Sequence, residues 1–291
     1  MAAETDTIIN GLYTNSVFSQ LMRRNFDKMS VWHDLVNVKW EKELKTHGDR
    51  VVIYQAGDIA VKDYVKGQDM VFEDPKGNRI EIVLDQQKYY AFTLEDIDVK
   101  QSTVKDLGDK YVERGKAENT LAKDTFISTK MWDGLTEANT IPTSILTKNE
   151  AYGLLTKLRS RLVWSGALLP NGKGFDGKAP WLVVDPDVMG ILSQAPEAIK
   201  ATAEGDKTTR EGTVLKLAGF DIKETNHLTE GSETRKLIAG TTEAFTFINQ
   251  LSKTKVMPAE KRFGTNYSAL YLYGGDVVQE KALAGSEVTL G

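Results

Sequence analysis

Residues 49–85, DRVVIYQAGDIAVKDYVKGQDMVFEDPKGNRIEIVLD, carry the pattern on which the fold depends. Arg50–Tyr54 has the β-branched and aromatic composition of a strand, and the extended pattern continues to Val65 with bends at Gly57 and Gly67. The segment Asp74–Asn78 supplies turn chemistry, because proline fixes one φ angle and glycine and asparagine tolerate positive φ. Apolar residues then alternate again in the order Ile80, Ile82, Leu84. The sequence predicts two long antiparallel strands around this turn.

The charge content of this hairpin is unusual. Between Asp49 and Arg79 there are six acidic and five basic residues, which leaves little apolar surface for packing on the hairpin's own domain. An isolated two-stranded hairpin is only marginally stable in water, and its edges are open to pairing with other chains. Two interpretations follow from the residues alone. Either a neighbouring copy supplies the missing contacts, or the hairpin is a charged excursion that covers its own core.

An aromatic strand and a long helix follow the hairpin. Tyr89, Tyr90, Phe92 and Leu94 predict the strand, and the next proline-free stretch runs from a candidate N-cap at Ser102 to Trp132. At 1.5 Å per residue this helix would be about 45 Å long.

The second half of the chain alternates between helical and strand patterns. We expect helices at 151–162, 187–195 and 243–251, and strands at 181–184, 220–225, 236–239 and 268–278. The apolar run Trp181–Val184 is typical of a strand that is buried on both faces.

The bulk composition excludes several classes of protein. The chain has 291 residues, 41% of them hydrophobic, and a net charge of −4, so no overall cationic field draws it to nucleic acid or to an anionic membrane. It has no cysteine, which excludes disulfides, thiol nucleophiles and cysteine-ligated metals. Neither a secretory signal nor a run of about 20 apolar residues is present. We therefore expect a protein used in a cytoplasm, or in a particle assembled there, with no membrane partner.

The motifs that could carry chemistry are weak. Gly172–Gly177 matches G-x-G-x-x-G but precedes a predicted strand, where a dinucleotide fingerprint does not belong, so a loop is favoured. The histidines, at positions 33, 47 and 227, lack the spacing of a helical zinc site. The acidic cluster Glu95–Asp98 precedes a helix, where carboxylates complement the dipole without a metal. The sequence predicts no catalytic, cofactor-binding or metal-binding residue and hence no enzyme.

Two basic concentrations stand out from an otherwise mixed surface. One is Arg23–Arg24 and the other is the set Lys253, Lys255, Lys261 and Arg262. Ordinary solvated charge is favoured for both, although a charged stripe could make weak, sequence-independent contacts with DNA.

The order of five strings resembles the major capsid proteins of tailed bacteriophages, the family with the HK-97-like fold. The strings are NVKWEKEL with GDRVVI (37–44 and 48–53), QKYYAF with EDID and QS (87–92, 95–98 and 101–102), WLVVDP (181–186), GFDI (219–222) and LYLYGGDVV (270–278). The similarity spans nearly the whole chain. The chain departs from the family pattern at Trp164–Pro180, where it carries a glycine-rich insert.

The resemblance implies an α+β fold with a defined division. It implies an N-terminal arm (1–48), an extended β-hairpin or E-loop (49–86), a P-domain (87–147) with a long spine helix at about 102–132, and an A-domain (148–258). A C-terminal strand (259–291) is expected to return to the P-domain.

The resemblance also implies function. It predicts self-assembly into hexamers and pentamers that form an icosahedral head shell around phage DNA, in a virion capsid assembled in the bacterial host cytoplasm. Scaffolding, portal and decoration proteins, and non-specific contact with packaged double-stranded DNA, are further expected partners. An encapsulin-like shell around enzyme cargo is the alternative, and an intracellular enzyme or binding module is disfavoured because no catalytic constellation is present.

The hairpin is the expected intersubunit element. Its alternating charges would form ion pairs with a neighbouring subunit, each contributing about 0 to 1 kcal/mol but repeated over the whole shell. The residues expected to make these contacts are Lys62, Asp63, Lys66, Asp69, Glu73, Lys76 and Arg79.

Overall fold

A computed structural model describes residues 30–42, 50–57, 59–64, 66–70, 72–74, 77–102, 106–196, 216–226, 228 and 233–291. The described residues form four helices, eleven strands and four short 3-10 turns. The helices are α1 (Asp96–Gln101), α2 (Leu107–Asp133), α3 (Ala151–Trp164) and α4 (Pro186–Ser193). The strands are β1 (Arg50–Ala56), β2 (Gly77–Val83), β3 (Gln86–Glu95), β4 (Thr140–Leu146), β5 (Trp181–Val184), β6 (Lys216–Leu217), β7 (Phe220–Glu224), β8 (Thr234–Gly240), β9 (Phe245–Pro258), β10 (Gly264–Val277) and β11 (Leu283–Leu290). The 3-10 turns are Trp32–Asp34, Lys39–Lys42, Glu137–Asn139 and Glu280–Ala282.

The strands form three sheets. β1 and β2 form a two-stranded antiparallel ladder, and β3, β10 and β9 form a three-stranded antiparallel sheet in that order. The third sheet is mixed and has the order β4-β11-β8-β5-β7-β6. The predicted segment 148–258 contributes β9 to the three-stranded sheet, and segment 259–291 contributes one strand to each of the two larger sheets.

The main core lies on the six-stranded sheet. All four residues of β5 are buried, as the apolar run predicts, and α3 turns its leucines at positions 154, 155, 158 and 162 inward. These leucines recur at helical spacing, so one face of α3 is apolar and the opposite face is left for solvent.

The three-stranded sheet is covered on one face by α2. Tyr90 and Phe92 of β3 and Tyr267 of β10 lie on that face, and the ring of Phe92 is 5.7 Å from that of Tyr111 in α2. Gly115 makes the close approach possible, because a Cβ atom there would lie 2.9 Å from the ring of Tyr90. These aromatic side chains of the sheet, which we call the aromatic layer, therefore pack closely against glycine positions of α2.

A short segment, residues 31–38, ties the two larger sheets together; we call it the strap. Trp32 is fully buried, with its ring edge-on to that of Trp181 in β5 at 5.8 Å. The backbone N–H of Val31 donates to Asp124 of α2 at 3.1 Å. Asn37 forms a bridge to β9 through two backbone hydrogen bonds, with Phe245 and Phe247, of 2.9 and 3.0 Å.

Several local predictions need correction. Ser102 is the C-cap of α1 rather than an N-cap, and α2 begins at Leu107, directly after Asp106, whose φ of 54° interrupts helical geometry. The helix predicted at 243–251 is wrong, because β9 begins at Phe245 and its first residues pair with β10. The long strands predicted around a turn at 74–78 are also wrong. The ladder ends at the pair Ala56 and Gly77, and none of the described residues between them belongs to a strand.

Other elements match the sequence closely. α3, α4, β5, β7, β8 and β10 lie where the patterns predict them, with ends shifted by a few residues. Within the described part of the chain, no helix is long and apolar enough to cross a membrane.

Candidate functional site

The base of the β1–β2 hairpin is firmly anchored. Val51 and Ile82 face each other in the ladder and are buried with Leu84 and Ile248 of β9. Across the ladder, the Arg50 guanidinium donates to the Glu81 carboxylate at 2.6 Å. The base therefore fixes the direction in which the remainder of the hairpin projects.

Residues 57–76 connect the two strands, and we call this segment the distal loop; its described residues have no comparable support. Every described side chain in residues 59–64, 66–70 and 72–74 is exposed, and none belongs to a regular strand. Gly67 has a φ of 89°, a backbone geometry that suits a residue without a side chain. The loop's two limbs flank an open cleft of about 480 Å³ lined by residues such as Ile59, Tyr64 and Phe72.

The distal loop exposes large apolar side chains as well as charges. Val61 is 100% exposed and Phe72 is 86% exposed, which is far more than their chemistry favours in water. The large apolar side chains exposed on the described part of the loop are Ile59, Val61, Tyr64, Met70 and Phe72. A cluster of this kind on an anchored loop is typical of a binding surface.

The predicted contact residues divide into three groups. Lys62 and Glu73 form an ion pair across the two limbs of the loop, so these two charges support the loop itself. Asp63, Lys66 and Asp69 lie exposed on the same loop, and Lys76 lies outside the described residues. Arg79 is in β2, with its guanidinium 3.9 Å from the Glu81 carboxylate. The structure thus brings five of the predicted residues onto one exposed loop.

A second exposed surface lies on the three-stranded sheet, on the side away from α2; we call it the open face. Tyr89 of β3 and Leu270 of β10 are directly opposed in the ladder, and 77% and 41% of their surfaces are exposed. Lys253 of β9 lies opposite Leu270, and Lys255 occupies the same face one row away. The open face therefore combines an apolar centre with a basic border.

Charge patterning alone misses both apolar surfaces. The sequence does signal the apolar residues of the distal loop, because Val61 lies in the strand-like stretch that runs to Val65 within a highly charged segment. The open face gives no such signal, since Tyr89 and Leu270 become neighbours only through the register of β3 with β10.

The glycine-rich motif is part of a connecting loop. Gly172–Gly177 is a loop before β5, as predicted, with φ angles of 74° and 78° at its two end glycines. No cluster of three potential metal ligands occurs among the described residues. His33 is exposed, whereas His47, His227, Arg23 and Arg24 lie outside the described residues.

Among the described Asp, Glu and Lys side chains, burial shifts the pKa of two. Burial raises the pKa of Asp185 to about 6, with the Asp187 charge also raising it and Arg235 opposing the shift. Burial lowers the pKa of Lys123 in α2, whose ammonium lies 5.3 and 5.5 Å from the rings of Tyr271 and Tyr273. Asp185 starts α4 and Lys123 lies beside the strap, so both positions belong to the framework of the fold.

The comparisons with known proteins rest on structure. No family model matches the chain, and no curated protein sequence matches it. A chain from Mycobacterium phage Che8 matches with a TM-score of 0.80 and 20% identity, over 96% of this chain and 98% of that one. The capsid structure of cyanophage P-SCSP1u matches with a TM-score of 0.77 and 16% identity, over 95% and 92%. The chain has a phage capsid fold.

This capsid fold extends across further phages. The mature capsid of bacteriophage PhiM1 matches with a TM-score of 0.71 and 13% identity, over 94% of this chain and 91% of that one. The similarity covers both large sheets and nearly the full length of each chain, so it is not confined to one motif. The α+β, HK-97-like fold predicted from the order of the sequence strings is therefore confirmed.

Proposed function

We propose that this chain is the major coat protein of a tailed phage, which self-assembles into hexamers and pentamers of an icosahedral shell around phage DNA and carries out no chemistry. The main support for this proposal is the distal loop, an anchored projection whose described apolar side chains are exposed in the single chain. The shared capsid fold supports the same proposal.

The exposed apolar side chains of the distal loop are unfavourable in free energy for a single chain in water. Burying a side chain such as Phe72 or Val61 stabilises a protein by about 1.5 to 3 kcal/mol relative to exposure. The described part of the loop leaves five of them in water, whereas the buried apolar side chains of the chain lie mainly in and against its two larger sheets. The loop is therefore adapted to a surface that another molecule provides.

The open face is the complementary surface on a second copy. Its centre, Tyr89 and Leu270, is apolar, and its border carries Lys253 and Lys255. The distal loop brings apolar side chains together with the acidic residues Asp63 and Asp69. Docking the loop of one copy on the open face of the next would bury apolar surface at the centre and pair opposite charges at the edge. This contact is heterologous, so repetition of it forms a ring of copies when the rotation from one copy to the next closes.

The predicted intersubunit charges fit this arrangement. Lys62 and Glu73 brace the limbs of the loop, while Asp63, Lys66 and Asp69 remain exposed for a neighbour. Single exposed ion pairs contribute about 0 to 1 kcal/mol, so each contact stays weak enough for a growing shell to correct errors. Neutralising Lys62, Asp63, Lys66 and Asp69 together should impair shell formation and leave the subunit soluble.

The proposed division of labour follows the predicted segments. Residues 1–48 act as the N-terminal arm, 49–86 as the E-loop and 87–147 as the P-domain. Residues 148–258 act as the A-domain, and 259–291 form the returning C-terminal segment. In this proposal the shell forms in the host cytoplasm, where scaffolding, portal and decoration proteins and packaged DNA meet it.

Site-directed crosslinking tests the proposed docking, because the chain has no native cysteine. Val61→Cys marks the distal loop and Ala91→Cys marks the open face, where Ala91 is exposed. A short thiol crosslinker added to a mixture of the two variants should give a mixed dimer far above the yield from either variant alone. Lys116→Cys, on the exposed side of α2, is the matched control for Ala91→Cys. Equal yields with the control would contradict the docking.

A further inference from the structure

The outward face of α3 carries a combination of residues that the fold does not require. Lys157, Arg161 and Trp164 are spaced by four and three residues, so they share one face of the helix. All three are exposed, and Trp164 is 89% exposed. The other tryptophans of the described chain are buried or half-buried. Trp164 is thus a large apolar group left in water beside two cations.

The two cations are not used in packing. Arg159, the third cation of α3, donates to the carbonyl of Ala218 at 2.7 Å and so ties the helix to a neighbouring turn. Neither Lys157 nor Arg161 has a carboxylate within ion-pair distance among the described residues. The helix itself contains no acidic residue. Their charge is therefore directed outward.

Lys281 adds a further cation beside this patch. The Ser165 hydroxyl, at the end of α3, donates to the carbonyl of Lys281 at 2.6 Å, and the Lys281 side chain is exposed. The acidic side chain of Glu280 is also exposed next to it, so Lys281 strengthens the patch less than the two helical cations do. The chain has a net charge of −4, so this face is locally positive on a chain that is negative overall.

The shape of the patch restricts its partner. Lys157 and Arg161 lie one helical turn apart, about 6 Å along the axis, on a convex surface. Three clefts flanked by described residues are lined by residues outside α3, and the outward surface of a helix is convex. A duplex needs no groove, because it presents about one negative charge per 1.7 Å of its axis. An arginine can hold a phosphate with two hydrogen bonds, and a flat indole can lie against the adjacent sugar.

We propose that the outward face of α3, formed by Lys157, Arg161 and Trp164, binds the phosphate backbone of double-stranded DNA without sequence preference. The inference rests on the proposed function, in which the chain encloses phage DNA. Contacts of this kind hold the duplex by releasing counterions, so they weaken as salt rises and allow DNA to slide. Sequence-independent contact is what a shell around a whole genome requires.

The test measures binding of a 30-base-pair duplex to subunits held below their assembly concentration, over a series of salt concentrations. Two cations that each meet one phosphate contribute about 1.8 to the slope of log K against log salt. Lys157→Ala with Arg161→Ala should reduce the slope by about that amount and weaken binding at least about tenfold at low salt. The matched control, Lys116→Ala with Lys223→Ala, removes two exposed cations elsewhere and should leave the slope unchanged.

Trp164 supplies an independent readout. Duplex DNA should quench the exposed fraction of the tryptophan fluorescence, and Trp164→Phe should abolish that quenching. Equal loss of binding in the control pair, or no loss in the α3 pair, would overturn the proposal. So would an acidic polypeptide that quenches Trp164 and displaces the duplex at lower concentration, since the face would then be a protein-binding site. The DNA-binding measurement uses unassembled subunits, so it does not depend on shell formation. Electron microscopy of each variant shows separately whether shells form.

Discussion

The exposed apolar residues of the distal loop give a prediction with a calculable size. Replacing Phe72 and Val61 with serine removes two side chains that are 86% and 100% exposed in the single chain. If a neighbouring copy buries both, the loss is about 4 kcal/mol per contact, taking about 1.5 to 3 kcal/mol for each. At 1.4 kcal/mol per tenfold change, this weakens the contact between copies by nearly three orders of magnitude. The free energy of unfolding of the single chain should barely change, because neither side chain contributes to its core.

The assay is the protein concentration at which shells first form, followed by light scattering and sedimentation. The matched control is Phe175→Ser with Ile145→Ser, an aromatic and a β-branched residue that are each 64% exposed outside the loop. The loop variant should need a far higher concentration than either the control or the unchanged protein. Assembly at an unchanged concentration would refute the assignment of the loop as an intersubunit element. A large loss of chain stability would refute it as well, by showing that the loop packs on its own chain.

Three further predictions concern the framework. Trp32→Ala should lower the free energy of unfolding by about 3 to 5 kcal/mol in denaturant titration, because it empties the fully buried site against Trp181; a loss below 1 kcal/mol would show that the strap does not hold the sheets. Gly115→Ala should destabilise by about 1 to 3 kcal/mol, because its Cβ meets the Tyr90 ring, whereas Gly153→Ala, with open space around it, should stabilise by about 0.5 to 1 kcal/mol; the same sign at both sites would contradict the fitted aromatic layer. The raised pKa of Asp185, about 6 against 3.8, gives stability that is complete below pH 3.8 and is lost as the pH rises through 6, up to about 3 kcal/mol in total. Asp185→Asn should remove that pH dependence between pH 4 and 7, and unfolding curves that keep the same slope with pH would exclude Asp185 as its source.

The sequence predicts those elements whose pattern is local. The four apolar residues of β5 predict a strand that is buried on both faces. The leucine spacing of α3 predicts a helix that is buried on one face, and both elements lie where the patterns predict them. The helix expected at 243–251 failed because Phe245 and Phe247 belong to a strand whose partner, β10, lies further along the chain. Pairing with a distant strand decides such segments, and local propensity does not.

The candidate surfaces show the same division. The sequence predicts the hairpin and its charges. It does not show where the ladder ends, because the last pair, Ala56 and Gly77, depends on how the two strands pair. The open face arises only when Tyr89 and Leu270 are brought together across the sheet. Ser102 has the side chain of an N-cap, yet the long helix begins only at Leu107, directly after Asp106 with its left-handed backbone conformation.

The central claim is that copies of this chain complete one another through the distal loop. Electron microscopy of the purified full-length protein, carried to a resolution that traces the backbone, tests it most directly. We predict closed shells or capsomers in which residues 57–76 of each copy lie over Tyr89 and Leu270 of its neighbour. A protein that stays monomeric at high concentration, or shells in which the open face remains bare, would contradict the claim.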